Sequence, residues 1–166
     1  MNFGITENFN SYGPYRLWWS RYEPCRGPKS TNLTILSTNL IKDGDFYYSW
    51  VNFTFLTQAR IDEIKITVYA LKNNRSNLLM RYKLDDPCQH FAIASIIEKQ
   101  LNAKNCVVKK GNYSCYANFT EISYAFFGNS FFYGEYMQKI TTLSKKGNIA
   151  CIVLNSIFEK KTKPMT

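Results

Sequence analysis

The sequence predicts a mostly β protein, an antiparallel meander or sandwich with one short helix, and three observations predict it. Apolar and polar residues alternate with a period of two along successive segments between short turns, the pattern of strands with one buried face. A single stretch, 89–101, has helical spacing instead. The last sixty residues read as three further strands joined by glycine turns. With 166 residues, the chain is read as one domain, 1–166, long enough to bury its own core.

Residues 1–30 read as an irregular opening segment with an edge strand. Gly13 and Pro14, Pro24, and Gly27 and Pro28 break it, and Trp18, Trp19 and Tyr22 cluster before Cys25. Strands are then expected around Leu33 and Ile35, over 46–56 after the turn at Asp43 and Gly44, over 61–71, and over 78–84 after a polar turn. Asn52 lies in an Asn-x-Thr sequon and is assigned to solvent, which sends Val51, Phe53 and Phe55 inward. Ile64, Ile66 and Val68 share one face. Arg81 and Lys83 look out, so Met80, Tyr82 and Leu84 look in.

Over 89–101, Phe91, Ala94, Ile97 and Leu101 recur at helical spacing, and Ile93 and Ile96 widen the stripe. Asp85, Asp86 and Pro87 make a suitable helix start. Beyond it, 104–114 leads to an aromatic stretch over 124–133, where six of ten residues carry rings. That stretch has two readings. It is an apolar rim loop in which Tyr124, Phe126, Phe127, Phe131, Phe132 and Tyr133 meet a membrane or guard a cavity, or a buried strand pair with a hairpin at Gly128 and Asn129. The charged tail, 159–166, is expected to fray.

The net charge is +9, from 21 Lys and Arg against 12 Asp and Glu. The basic residues are scattered, with knots at Lys109–Lys110 and Lys145–Lys146 in predicted turns. They serve solubility and edge protection, or attraction to an anionic membrane surface. No basic stripe interleaves with stacking aromatics, so no nucleic-acid partner is expected. Five cysteines and five sequons, at Asn32, Asn52, Asn74, Asn112 and Asn118, point to a secreted, extracellular or lysosomal-lumen glycoprotein. No leader-like apolar run opens the sequence, which is read as a mature form, and no run reaches membrane-spanning length.

Trp19, Tyr22 and Cys25 at the front, Gly111-Asn112-Tyr113-Ser114 at a strand start, and Gly134-Glu135-Tyr136 followed by Lys146 and Cys151-Ile152 near the end form an ordered set. In that order and spacing the chain resembles the GM2 ganglioside activator family of the MD-2-related lipid-recognition superfamily, including its insect chemosensory-type relatives. The resemblance implies a two-sheet β-cup around an apolar cavity, lined by Val51, Phe53, Phe55, Ile64, Ile66, Val68, Met80, Tyr82 and Leu84. It also implies a Cys25–Cys151 disulfide. A second bridge, Cys88–Cys106, would clamp the helical segment, leaving Cys115 as a buried free thiol or an intermolecular link.

Enzymatic readings find little support in the residues. His90 is the one histidine, no Gly-x-Ser-x-Gly elbow accompanies it, and no Cys-x-x-Cys suggests a metal site. No cofactor or metal is expected. The sequence points to a lipid or other long-chain apolar ligand held non-covalently for carriage, with two alternatives: a protein-interaction module, dimeric through Cys115 or partnered through its aromatic patch, and a lipid-presenting helper of a hydrolase.

Overall fold

The computed structural model describes residues 11–161. The first ten residues and most of the expected frayed tail lie outside them. Strands β1 (Tyr12–Pro24), β2 (Thr34–Asp43), β3 (Phe46–Phe55), β4 (Ala59–Arg60), β5 (Glu63–Lys72) and β6 (Arg75–Asp85) come first. A 3-10 turn (Pro87–Gln89) leads into helix α1 (Phe91–Gln100), followed by β7 (Val107–Val108), β8 (Gly111–Asn118), helix α2 (Phe119–Phe127), β9 (Ser130–Phe132), β10 (Gly134–Ser144) and β11 (Gly147–Lys160). They form a six-stranded sheet in the order β6-β5-β10-β11-β1-β9, facing a three-stranded sheet in the order β2-β3-β8. All strand pairs in both are antiparallel. The molecule is mostly β, as the alternation predicts, and its two sheets form the cup that the resemblance implies.

The opening segment holds the expected edge strand, paired beyond Pro14 to β11 alone, but is not irregular: from Tyr12 it is a regular thirteen-residue strand. Tyr15, Leu17 and Trp19 are buried on one face while Arg16 and Ser20 look outward. Pro14 and Pro24 do not break it: the run paired to β11 extends from Tyr15 to Pro24, so one proline precedes the run and the other closes it. There a missing N–H interrupts no central ladder.

Helix α1 forms where predicted, although only part of its apolar stripe is buried. Ile97 and Leu101 enter the core, whereas Phe91 is 91% and Ile96 55% exposed. The cause is one-sided packing. Gln100 donates from Nε2 to the Tyr116 carbonyl and accepts from the Tyr116 amide, both at 2.8 Å. Its side-chain amide thus takes the place of a neighbouring strand along β8, fixing which way the helix turns and covering a sheet edge.

A second helix, α2, takes the first part of the aromatic stretch, where a loop or a strand is expected, while the second strand of the hairpin reading is present as β9, paired to β1 and not to 124–127. Asn118 caps it by accepting from the Glu121 amide at 3.0 Å, and Gly128, at φ 81°, ends it in a conformation other residues avoid. The signal was local: an Asn three residues before a Glu is a helix-start pattern. Ring content and the following glycine obscured it.

Two apolar clusters make the core. One gathers Leu33, Val51, Phe53, Phe55, Ile61, Ile97, Leu101, Val108 and Ile149, with Cys106. The other gathers Tyr15, Leu17, Trp19, Tyr136, Leu154 and Phe158. Tyr22 packs against both. The two expected disulfides, Cys25–Cys151 and Cys88–Cys106, are present, with sequence separations of 126 and 18. In the chain-entropy picture these contribute about 5 and about 3 kcal/mol by constraining the unfolded chain.

Candidate functional site: an open apolar floor

Cross-strand register sets the inner face of the larger sheet as three rows. Leu84, Ile64, Thr142 and Ala150 make one, Tyr82, Ile66, Ile140 and Ile152 the next, and Met80, Val68, Gln138 and Leu154 the third. Opposite stand the rows Leu36, Phe53 and Tyr113, then Thr38, Val51 and Cys115, then Leu40, Ser49 and Ala117. Six strands face three, so the smaller sheet cannot cover the whole floor.

Burial follows from that mismatch. Ala150 and Leu154 on β11 are buried, Ile140, Ile66 and Val68 are half-buried, and on β6 Met80 and Tyr82 are 48% and 52% exposed. Leu84, at the end of its row, is buried. The result is an apolar surface that begins in the core and opens to solvent along β6, interrupted by the Gln138 amide.

The expected lining residues divide accordingly. Ile64, Ile66, Val68, Met80 and Tyr82 stand on the open floor, whereas Val51, Phe53 and Phe55 are in the first cluster, Phe55 at 1% exposure. Lining and filling residues share one sequence pattern, so alternation did not separate them. It also missed Ile140 and Ile152, which their own strand alternation could have flagged.

The expected mouth residues divide too. Tyr124, Phe127, Phe131 and Tyr133 pack against the second cluster, with Phe127 and Phe131 rings 5.2 and 4.8 Å from Phe158. Phe126 and Phe132 remain 75% and 43% exposed, joined by Ile122 at 50%. At this end rings meet between the sheets, Trp19 against Tyr47 at 5.0 Å, with Phe119 of α2 touching Trp19 and Tyr22. Helix α2 is a plug with an apolar outer surface.

Cys115 faces inward between Val51 and the core and forms no disulfide. Burial pushes its thiol up to about 11. Tyr22, beside it, is raised to about 12 by burial, against the opposing effect of a hydrogen bond with Ser49.

Two surface clefts lie away from the floor. One, of about 480 Å³, is lined by Arg60, Asp62, Lys145 and Lys146 among others. Burial favours protonation of Asp62 there, but the Lys145 amide at 2.6 Å and the Arg60 guanidinium outweigh it and hold the carboxyl below its ordinary range. The other, of about 400 Å³, runs along α1 past Phe91 and Glu98. His90 is exposed beside it. Among the described residues no three His, Cys, Asp or Glu side chains are grouped to hold a metal ion, and no helix is long and apolar enough to cross a membrane.

No family model matches the chain, and no curated protein matches it by sequence. Among solved structures, it is similar to a Niemann-Pick type C2 protein from the Japanese carpenter ant, at 9% identity and a TM-score of 0.32, over 86% of this chain and 92% of that one.

Proposed function

We propose that this chain is a secreted, non-enzymatic lipid-binding domain of the MD-2-related lipid-recognition type, holding an acyl chain or similar apolar ligand on the floor between its sheets. The observation that carries the reading is the burial gradient from Leu154 to Met80. An apolar surface continuous with the core and open along one edge gains about 0.8 kcal/mol for each ligand CH₂ it removes from water, with few polar contacts needed. Ile64, Ile66, Val68, Met80 and Tyr82 would touch the chain, and Gln138 supplies an amide for a polar group along it.

The exposed Phe126, Ile122 and Phe132 suit a bilayer surface during loading. Lys160 pairs in register with Tyr15 at that end, and Arg16 lies near enough to Tyr124 to act on its hydroxyl. Cations beside apolar tips favour anionic lipid.

Purified protein should release a lipid under native mass spectrometry or solvent extraction, or take up a fluorescent fatty-acyl probe after delipidation. Failure of both would sink the proposal. A protein-interaction role is the second reading, favoured by Phe126 and Phe91 at 75% and 91% exposure. Replacing Phe126 and Phe132 with Ser separates them: lost partner capture with unchanged probe uptake would favour the second.

A further inference from the structure

We propose that the outer face of the three-stranded sheet is a glycan platform, with N-linked sugars at Asn52 and Asn118 packing on the rings of Trp50, Tyr116 and Tyr48. The inference rests on the secretory placement proposed above and not on the lipid ligand.

The face is set by register. Asn39, Trp50 and Tyr116 stand in one cross-strand row, Ile41, Tyr48 and Asn118 in the next, and Ser37, Asn52 and Ser114 on the other side. Tyr48 and Tyr116 stack with centroids 5.5 Å apart and planes 10° from parallel, and Trp50 meets Tyr116 at 4.9 Å. Such a ring cluster on an exposed sheet face offers apolar area to an amphipathic partner.

Three of the five sequons open onto this face. In two of them, Trp50-x-Asn52-x-Thr54 and Tyr116-x-Asn118-x-Thr120, an aromatic residue precedes the asparagine by two positions. On a strand that spacing puts ring and amide side by side on one face. A sugar ring presents C–H groups on one side, so the first residue of a glycan at either site can lie on a ring already beside it. Asn112, preceded by Lys110, has no such ring.

The hydrogen bonds suit attachment at nitrogen. Asn52 Oδ1 accepts from Ser114 Oγ at 2.5 Å, Asn112 Oδ1 from Thr54 Oγ1 at 2.9 Å, and Asn118 Oδ1 from the Glu121 amide at 3.0 Å. Each of these bonds uses oxygen and survives when Nδ2 is substituted; Asn118 Nδ2 also donates to Glu121 Oε2 at 3.4 Å, a long contact that the one N–H left after substitution can keep. In that substitution Nδ2 bonds to the anomeric carbon of a diphosphate-lipid-linked oligosaccharide, the carbon–oxygen bond to the diphosphate breaks, the diphosphate leaves with the bonding pair, and the Nδ2 proton passes to the transferase. Transfer precedes folding, so the burial of Thr120 does not impede it.

The test uses the full chain secreted from eukaryotic cells behind an added leader, with peptide mapping after enzymatic deglycosylation in heavy-oxygen water. Asn52 and Asn118 should be occupied. Trimming to one sugar should leave the melting temperature about 2 °C or more per site above that of the Asn52→Gln and Asn118→Gln variants. Trp50→Leu, or Tyr116→Ala should the first fold poorly, should erase the difference without altering occupancy. Empty Asn52 and Asn118, or a temperature difference that persists without the rings, would overturn the proposal. So would Trp50-dependent binding of free chito-oligosaccharide by bacterially made protein, which would make the platform a receptor for external sugar. Probe uptake, read in parallel, reports on the lipid floor independently.

Discussion

Tyr15 on β1 and Tyr124 on α2 hold each other twice. Their rings stack with centroids 4.9 Å apart and planes 7° from parallel, and Tyr124 donates its hydroxyl to the Tyr15 carbonyl at 3.0 Å. Tyr15 in turn donates to the carbonyl of Gly128, the residue that ends the helix, at 2.6 Å. These contacts latch the plug to the larger sheet.

Tyr15→Phe should therefore keep the stack and lose the latch. Leaving the Gly128 carbonyl unpaired costs about 1 kcal/mol, or roughly a 2–4 °C fall in melting temperature for a chain of this size. Faster amide exchange confined to α2, read by hydrogen–deuterium exchange, is the distinguishing sign. Uniform exchange across the molecule would refute the latch.

Alkaline pH should destabilise the fold. Burial raises Tyr15 and Tyr22 from the ordinary 10 to about 12 in the folded state, so between those values the unfolded chain gives up its protons first. Stability then falls as pH rises through about 10 to 12, and these groups add no pH dependence below that window. Urea midpoints at pH 9 and pH 11.5 check the sign, and an unchanged midpoint would contradict it.

Ser156 sits in the second cluster between Trp19 and Tyr136 in register, 2% exposed, and its hydroxyl has no partner among the described residues. An unsatisfied buried hydroxyl costs about 1–3 kcal/mol. Ser156→Ala should raise the chemical-unfolding midpoint by about 1 kcal/mol equivalent, a rare stabilising core change. A lower midpoint would mean that the hydroxyl is satisfied.

Cys115 should react slowly while folded. A thiol at about 11 in place of 9 has about a hundredfold less thiolate at pH 8. Labelling by a disulfide reagent should slow by that factor relative to the urea-unfolded chain and rise tenfold per pH unit up to about pH 10. Fast native labelling would place the thiol outside the core.

Met80→Asp probes the floor at its open end. The site is 48% exposed, so stability should change by no more than about 0.5 kcal/mol. A carboxylate facing an acyl chain would be stripped of water, and probe uptake should weaken at least tenfold. Unchanged uptake would remove Met80 from the ligand path.

Alternation around Phe53, Ile66 and Tyr82 made the strands and their faces legible in sequence, because a residue's side of a strand is fixed by its parity alone. The helix at 91–100 was legible for the same reason, with its own period. The helix over 119–127 was not legible, because rings serve strands, loops and helices alike, and the cap at Asn118 and the stop at Gly128 were weak local cues.

By itself, then, the sequence determined a β fold with inward and outward faces, a helix after β6, and residue types suited to an apolar interior. Only the tertiary structure decided that Phe55 fills the core while Ile66 and Tyr82 stand on an open floor, and that Trp50 and Tyr116 meet outside. Parity tells which face a side chain takes. What lies opposite that face depends on how many strands each sheet has and where the helices close the gaps, and these are settled by contacts between residues far apart in the chain.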